Sequence, residues 1–161
     1  MMSDLFSPVG IDFRHVSPNL AKARFAGTAI SFLSFTIPAT LVAVFVTPWA
    51  WIAAGIITIL HLWVAILITR QVKALQYALG ETELFVRKGI MFKDMTAVPY
   101  GRIQYVDVSE GPIARYFGMA EIKLHTASAA TDATIPGIPT AEAAELRAFL
   151  SNRCEAEMVG I

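Results

Sequence analysis

Hydrophobic and polar positions divide the chain into two halves with different patterns. In the first half no Asp, Glu, Lys or Arg occurs between Arg24 and Arg70, so residues 25–69 form an uncharged stretch of 45 residues. A bilayer-spanning helix needs about 20 predominantly apolar residues, so this stretch is long enough for two of them. The pattern therefore predicts a transmembrane helical hairpin over residues 25–70.

The turn of the hairpin is predicted at Thr47-Pro48, because a proline disfavours helical geometry in the residue before it and suits the first turn of the next helix. The two spans then cover residues 25–46 and 49–69. Trp49 and Trp51 lie at the turn end, the interfacial level at which indole rings are enriched. A secretory signal peptide does not fit, since the apolar stretch starts late and is about three times too long.

Basic residues flank both outer ends of the hairpin, whereas its turn carries no charge. They are Arg14, Lys22 and Arg24 before the first span, and Arg70, Lys73, Arg87 and Lys88 after the second. By the positive-inside rule, both ends and therefore both termini are expected in the cytoplasm. The hairpin is thus predicted to anchor a cytoplasmic domain.

The first helix is expected to begin before the membrane, with the pair Ser17-Pro18 supplying the N-cap and the first helical residue. Residues 1–16 mix polar and apolar types without a clear period, which indicates an interfacial or loosely ordered arm. Pro38, in the middle of the first span, predicts a kink. The hydroxyls of Ser34 and Thr36 are expected to help satisfy the backbone groups that it frees.

Strand-like alternation replaces the apolar run in the second half. Residues 119–126 place Ala120, Ile122 and Leu124 on one face and charged or polar side chains on the other, as in a half-buried strand. Shorter strand candidates, rich in β-branched and aromatic residues, are residues 83–87 and 103–108, and residues 90–98 and 133–135 are further candidates. The pattern predicts about six short antiparallel strands.

Two helical segments are predicted around these strands. Gly111-Pro112 opens one helical turn that Gly118 closes, and Pro136-Gly137 and Pro139 are interpreted as turns. Thr140 is the predicted N-cap of a final helix. The apolar stripe of this helix comprises Ala143, Leu146, Phe149 and Leu150. Short strands capped by one amphipathic helix are typical of a small β-barrel or half-barrel.

Composition supports a membrane protein and excludes several other classes. Hydrophobic residues make up 55% of the chain and charged residues 16%, with a mean hydropathy of +0.55. Thirteen basic residues balance thirteen acidic ones, so no overall basic field favours nucleic acid. The single cysteine, Cys154, excludes an internal disulfide framework and a thiolate zinc site, and packing is its expected role.

A series of spaced motifs runs through the second half. It comprises GIMFK at residues 89–93, VPYGRIQYV at 98–106, GPIARYFGMA at 111–120, HTA at 125–127 and IPGI at 135–138. Over residues 71–150 this series resembles the bacterial membrane-flanked pleckstrin-homology (PH)-like domain family of YdbS-like type, in which an upstream transmembrane pair is also typical. Ser128, where that family often has glycine, is a small departure.

The resemblance implies a PH-like antiparallel β-barrel with a C-terminal helix, and it implies no known reaction. The expected fold class is therefore an α+β membrane protein, a transmembrane hairpin followed by this domain. Its expected divisions are a cytoplasmic arm with the start of helix 1 (1–24), the hairpin (25–70), the PH-like domain (71–155) and a tail (156–161). The expected location is the bacterial cytoplasmic (inner) membrane, as a multi-pass protein.

His61 lies close to the middle of the second span, and an ionisable side chain there is a candidate functional site. It is a candidate ligand for a haem or chlorophyll metal, or a proton relay. The favoured alternative is a neutral imidazole bonded to a Ser or Thr of the first span or of a partner helix. The first span has no histidine, which excludes a bis-histidine haem within one chain.

Arg102 and Arg115 occupy the arginine positions of the resembled family and are candidate interaction residues. They suit lipid phosphates or an acidic partner. The favoured alternative is structural, in which they tie loops together through backbone carbonyls or the nearby Asp107 and Glu110. Residues 71–161 contain nine basic and eleven acidic residues, so phosphoinositide binding has little support.

The sequence contains no phosphate-binding glycine loop, catalytic triad or nucleophile elbow, so an enzyme is not expected and neither is a cofactor. The leading hypothesis is a membrane-anchored, non-enzymatic adaptor that binds an integral membrane protein or complex at the cytoplasmic face, with membrane lipids as solvent. One alternative is an accessory or assembly subunit of a larger membrane complex, including a complex that contains pigment or haem. The other is a lipid-headgroup-binding module. Neither nucleic acid nor a small-molecule substrate is expected.

Overall fold

A computed structural model describes residues 11–128 and 131–159, without the side chains of residues 157–159. Its two long helices are α1 (Asn19–Phe45) and α2 (Ala50–Ala74), and the predicted turn at Thr47-Pro48 lies between them. Both helices are long and apolar enough to cross a membrane, with only 6% and 11% of their most apolar windows buried. The described part of the chain therefore leaves their apolar surface uncovered, unlike the core helix of a soluble protein.

The helix ends differ slightly from the predicted ones. α1 begins at Asn19, one residue later than expected, and the Ser17 hydroxyl oxygen accepts the Asn19 N–H at 3.2 Å. α2 continues to Ala74, beyond the predicted span end at Thr69. This extension carries the buried Val72 out of the apolar hairpin and into the core of the second half.

α1 runs without interruption through Pro38. The proline removes the N–H that would bond to the Ser34 carbonyl. The Ser34 hydroxyl instead donates to the Ile30 carbonyl at 2.9 Å, and among the described residues the Thr36 hydroxyl has no hydrogen-bond partner. The expectation that these two hydroxyls satisfy the freed groups is therefore wrong, because a serine in a helix bonds more readily to its own preceding turn.

The second half forms two antiparallel sheets. The first has the order β1 (Arg14–His15), β2 (Gln76–Leu79), β3 (Glu83–Lys88) and β4 (Asp94–Pro99), and the second has the order β5 (Ile103–Ser109), β6 (Met119–Thr126) and β7 (Ala133–Pro139). The short helix α3 (Pro112–Tyr116) joins β5 to β6, and α4 (Thr140–Val159) follows β7. The predicted α+β fold class is confirmed, although the two sheets are not closed into a barrel.

Strand prediction succeeded where alternation was regular. β6 has the predicted bounds, and Ala120, Ile122 and Leu124 are buried. The strand predicted from residue 90 begins only at Asp94, because residues 89–93 form the loop between β3 and β4. β2 was not predicted, since it is only four residues long and follows α2 without a helix-breaking residue.

The interpretation of Pro136-Gly137 and Pro139 as turns is wrong, because all three lie within β7. Ala120 pairs with Ile138 and Ile122 pairs with Ile135, so Pro136 and Gly137 together oppose one residue of β6. This is a β-bulge, a position at which proline is tolerated and at which a glycine with φ +75° fits.

The arm before α1 belongs to the sheet, which corrects the loosely ordered arm predicted from the sequence. Arg14 pairs with Tyr77 and His15 with Gln76, and Val16 is buried. Residues 1–10 of that predicted arm lie outside the described residues. The first sheet is thus assembled from strands on both sides of the hairpin in sequence.

One hydrophobic core joins the hairpin base to the sheets. Val16, Leu20, Val72 and Leu75, which flank the membrane spans, pack in the same cluster as the inward faces of the strands and α4. Cys154 of α4 is part of this cluster, and burial raises the pKa of its thiol. Its predicted packing role is confirmed.

Candidate functional site

The junction between α1 and β7 is fixed by close backbone approach. The Ser17 N–H donates to the Gly137 carbonyl at 2.9 Å. A Cβ added at Gly137 would lie 2.8 Å from the Leu20 Cβ, closer than real side chains pack. The β7 bulge therefore packs directly against the start of α1 and fixes the position of the sheets relative to this helix.

A second contact joins the arm to α4. The Tyr77 hydroxyl of β2 donates to Glu142 at 2.5 Å, and Arg14 of β1 lies 3.9 Å from the same carboxylate. Burial, with the adjacent Glu142 carboxylate, raises the pKa of Tyr77 to about 12. Three elements that are distant in sequence thus meet at one carboxylate.

A groove of about 790 Å³ lies at the base of the hairpin. The hairpin side is lined by Arg24, Leu67, Arg70 and Gln71, and the sheet side by the β3–β4 loop and the start of β7. Gly89 begins this loop with φ +98°, and a Cβ there would lie 1.9 Å from the Phe92 carbonyl oxygen. The loop is therefore a tight turn that requires glycine, and it presents Met91 and Phe92, each 86% exposed.

The charges around this groove are unequally paired. Asp94 lies 3.5 Å from Lys88, and Asp132 accepts the Thr126 N–H at 2.8 Å. That N–H, assisted by nearby His125, lowers the pKa of Asp132. Among the residues that the structure describes, the Arg24 side chain donates only to the Gln71 amide oxygen, at 3.3 Å. Within the described part of the chain, the Arg70 side chain has no hydrogen bond or ion pair.

His61 is bonded within the hairpin. One ring nitrogen, Nε2, lies 3.3 Å from the Ser31 hydroxyl of α1, and Nδ1 lies 2.8 Å from the Ile57 carbonyl oxygen of its own helix. The ring also packs edge-on against Phe32, at 5.4 Å between centroids. A metal or pigment ligated by His61 would have to displace one of these contacts.

The two candidate arginines have different surroundings. Arg115 Nε donates to Glu110 at 3.0 Å, and the Thr140 hydroxyl donates to the other oxygen of that carboxylate at 3.3 Å. This arrangement favours the structural alternative for Arg115, because it ties α3 to the start of α4. Arg102 is exposed at the end of the 3-10 turn Tyr100–Arg102 that joins β4 to β5, and in residues 11–128 and 131–159 its side chain has no polar partner.

Sequence reasoning missed a polar cluster on the outer face of the second sheet. The Tyr105 ring of β5 stacks on His125 of β6, with centroids 4.4 Å apart, and His125 Nδ1 lies 3.3 Å from Asp132. Alternation alone places His125 on that face. The partner was not predictable, because an irregularity between Ile103 and Tyr105 shifts the register. The described residues contain no group of three or more potential metal ligands.

Comparison with known proteins identifies the family. Residues 29–154 match the family described as bacterial PH domain, a match that begins inside α1. The chain is 35% identical over 79 residues to the UPF0699 transmembrane protein YdbS of Bacillus subtilis (strain 168), a match that covers 49% of this chain and 48% of that protein. The chain thus matches about half the length of this relative. No solved structure matches the chain significantly.

These matches agree with the geometry. The described residues form two helices suited to a membrane and two antiparallel sheets followed by a helix, and the relative is a transmembrane protein. The matched family is not a known enzyme family. The chain therefore belongs to the bacterial PH domain family and is a membrane protein in which a PH-like domain is built onto a helical hairpin.

Proposed function

We propose that this protein is a non-enzymatic adaptor that binds another membrane protein through the open edge of β5. In the described residues β5 pairs only with β6, and although α4 packs against β5, residues 104–109 are exposed or half-buried. The backbone groups along the other side of β5 therefore have no strand partner. An extended peptide can add to such an edge as a further strand, with side-chain contacts that give specificity. This open edge is the observation that carries the proposal.

The side chains at this edge suit peptide recognition. Arg102 precedes β5 directly and is free to bind a carboxylate. Tyr105 is 57% exposed, although it stacks on His125, and so offers a rigid aromatic surface. The chemistry favours a partner segment that is extended and acidic near one end.

The shared core supports an adaptor whose orientation is fixed. Because Val16 and Leu20 before the hairpin pack with Val72 and Leu75 after it, the sheets are held directly against the helix bases. We place this domain in the cytoplasm at the inner membrane, with both termini on that side, on the strength of the basic flanks. A reporter fused after Ile161 that works only outside the cytoplasm would contradict this orientation.

The test is site-specific photo-crosslinking in native membranes. A photoreactive side chain is placed at Tyr105 and, as the matched control, at Ala97, which is exposed on β4 at the edge of the other sheet. We expect one defined membrane protein to crosslink at position 105 and not at 97, and Arg102→Glu to weaken that crosslink several-fold. Equal crosslinking at both edges, or none at 105, would contradict the proposal.

A second candidate function is an accessory or assembly subunit of a larger membrane complex. A Cβ added at Gly27 or Gly55 would meet no atom within 4 Å, so neither glycine packs against the other helix of the hairpin. These two positions are where a helix from another chain can approach closely. Purification in mild detergent, with identification of the bound proteins and an absorbance spectrum, separates this candidate from the adaptor. A stable complex that survives Arg102→Glu would favour the subunit role.

A further inference from the structure

We propose that the groove at the hairpin base binds the headgroup of an anionic phospholipid, with Arg70 and Arg24 facing its phosphate and the β3–β4 loop, Gly89–Lys93, dipping into the membrane interface. This inference is independent of the β5 edge and of any protein partner. It rests on where the groove lies, on two arginines that have no ion pair within the described residues, and on the exposed apolar rim of the groove.

The groove lies at the level of the lipid headgroups. From Ala50 to Thr69, α2 rises about 30 Å, which matches the hydrocarbon thickness of a bilayer. Arg70 directly follows this stretch, and Arg24 directly precedes the uncharged run of α1. Since Leu67 and Arg70 line the same groove as Met91 and Phe92, the loop reaches the boundary between hydrocarbon and headgroups.

The loop has the composition of an interfacial tip. Met91 and Phe92 are each 86% exposed, and Lys88 and Lys93 flank them. Adjacent large apolar side chains held in water are unfavourable, whereas apolar residues between lysines suit an anionic membrane surface. Gly89 fixes the turn, so the tip is preformed and does not have to be ordered by the membrane.

The free charges of the groove suit a phosphate. Its two acids already have partners, Lys88 for Asp94, and Thr126 with His125 for Asp132. Arg24 is bonded to a neutral amide, and Arg70 has no partner within the described residues. A guanidinium can donate two hydrogen bonds to one phosphate, so two arginines at one groove favour an anionic headgroup over a zwitterionic one.

The test measures lipid retention on the full-length protein in mild non-ionic detergent by native mass spectrometry. Phosphatidylglycerol is titrated against phosphatidylcholine for wild type, Arg70→Gln and the double variant Arg24→Gln/Arg70→Gln. The matched control is Lys73→Gln, which removes the same charge from the same end of α2 at an exposed residue that does not line the groove.

We expect wild type to retain one phosphatidylglycerol in preference to phosphatidylcholine. Arg70→Gln should weaken this retention by about fivefold, and the double variant by tenfold or more, while Lys73→Gln stays within twofold of wild type. Because the Arg70 side chain has no hydrogen bond or ion pair within the described residues, we expect its substitution to leave the fold intact. Unchanged retention in the double variant, or an equal loss in Lys73→Gln, would overturn the proposal.

A second measurement tests the loop. Met91→Cys and the control Thr82→Cys, at the opposite end of β3, are labelled with a membrane-impermeant maleimide. The native Cys154 is 7% exposed and its thiol pKa is raised, so it gives a low background. Transfer from detergent into phosphatidylglycerol nanodiscs should slow labelling at position 91 several-fold and leave position 82 unchanged. If transfer into nanodiscs does not slow labelling at position 91, or slows it equally at positions 91 and 82, the proposal is also overturned, since the loop would then stay in water.

Discussion

The hairpin and the sheet domain use the same kinds of apolar residue in opposite ways. Ile59 and Phe45 in the hairpin are 66% and 80% exposed, whereas Leu84, Ile122 and Leu124 in the sheets are fully buried. The sheets share a closed core with α4 and the base of the hairpin, while the apolar spans depend on the bilayer to cover their surface. The comparison teaches that apolar content alone says little about packing, because the solvent differs between the two regions.

Apart from the His61–Ser31 contact between α1 and α2, polar groups follow the same division. In the hairpin, the Thr28, Ser34 and Thr58 hydroxyls donate to carbonyls one turn earlier in their own helix. In the domain, Tyr77 and Thr140 bond across elements that are distant in sequence. Local bonds suit a region where water is absent and where each helix must satisfy its own polar groups.

The largest difference between the two regions is expected in the stability lost when a leucine is truncated to alanine. We expect Leu84→Ala to destabilise the protein by about 2–5 kcal/mol, because it leaves a cavity in a closed core. The matched Leu60→Ala, in the exposed face of α2, should cost less than about 1 kcal/mol because lipid or detergent fills the space. Thermal unfolding in detergent checks both, and equal losses would show that the hairpin packs as a conventional core.

The next largest loss of stability is expected when the contact between the β7 bulge and α1 is disrupted. Gly137→Ala forces a side chain toward Leu20 and into a positive φ, and should cost about 2–3 kcal/mol. Gly111→Ala is the control, since a Cβ there meets nothing within 4 Å and its φ is −74°. Protease sensitivity between the hairpin and the domain, measured with unfolding, should rise only for Gly137→Ala. If the two variants behave alike, the β7 bulge does not hold the domain against α1.

Alkaline pH should test the domain alone. The pKa of Tyr77 is raised to about 12 in the folded state, above its ordinary value near 10, so its contribution to stability is complete below pH 10 and is lost as the pH rises toward 12. Tyr77→Phe should reduce this alkaline loss, although the raised pKa of Tyr100 leaves a remainder. The measurement is the free energy of unfolding from pH 8 to 11.5. If its dependence on pH is the same in Tyr77→Phe as in wild type, Tyr77 does not contribute to the alkaline loss.

The smallest effect is expected in the hairpin at His61. His61→Leu removes the contact with Ser31, and bonds between membrane helices are worth about 0.6 kcal/mol on average. Membrane insertion should be unchanged because the span becomes more apolar, and Ser31→Ala should reproduce the small loss. If His61→Leu instead releases a bound membrane partner or alters a pigment spectrum while Ser31→Ala does not, His61 acts in recruitment.

Prediction from the sequence succeeded where one local rule acts alone. The hairpin follows from a run of uncharged residues, and β6 follows from the strict alternation of Ala120, Ile122 and Leu124. It failed where a local signal was overruled. Pro136 and Gly137 have turn chemistry, yet they occupy a bulge because β6 and α1 both pack against that segment.

The sequence by itself determined the two membrane helices, the strand character of the second half and the family pattern, because hydrophobic periodicity and spaced motifs are properties of neighbouring residues. Only the tertiary structure decided that Arg14–His15 joins the sheet and that Arg24 and Arg70 share a groove with Phe92. It also paired Tyr105 with His125. Each of these depends on contacts between residues far apart in the chain, and such contacts form only when the whole core assembles around the base of the hairpin.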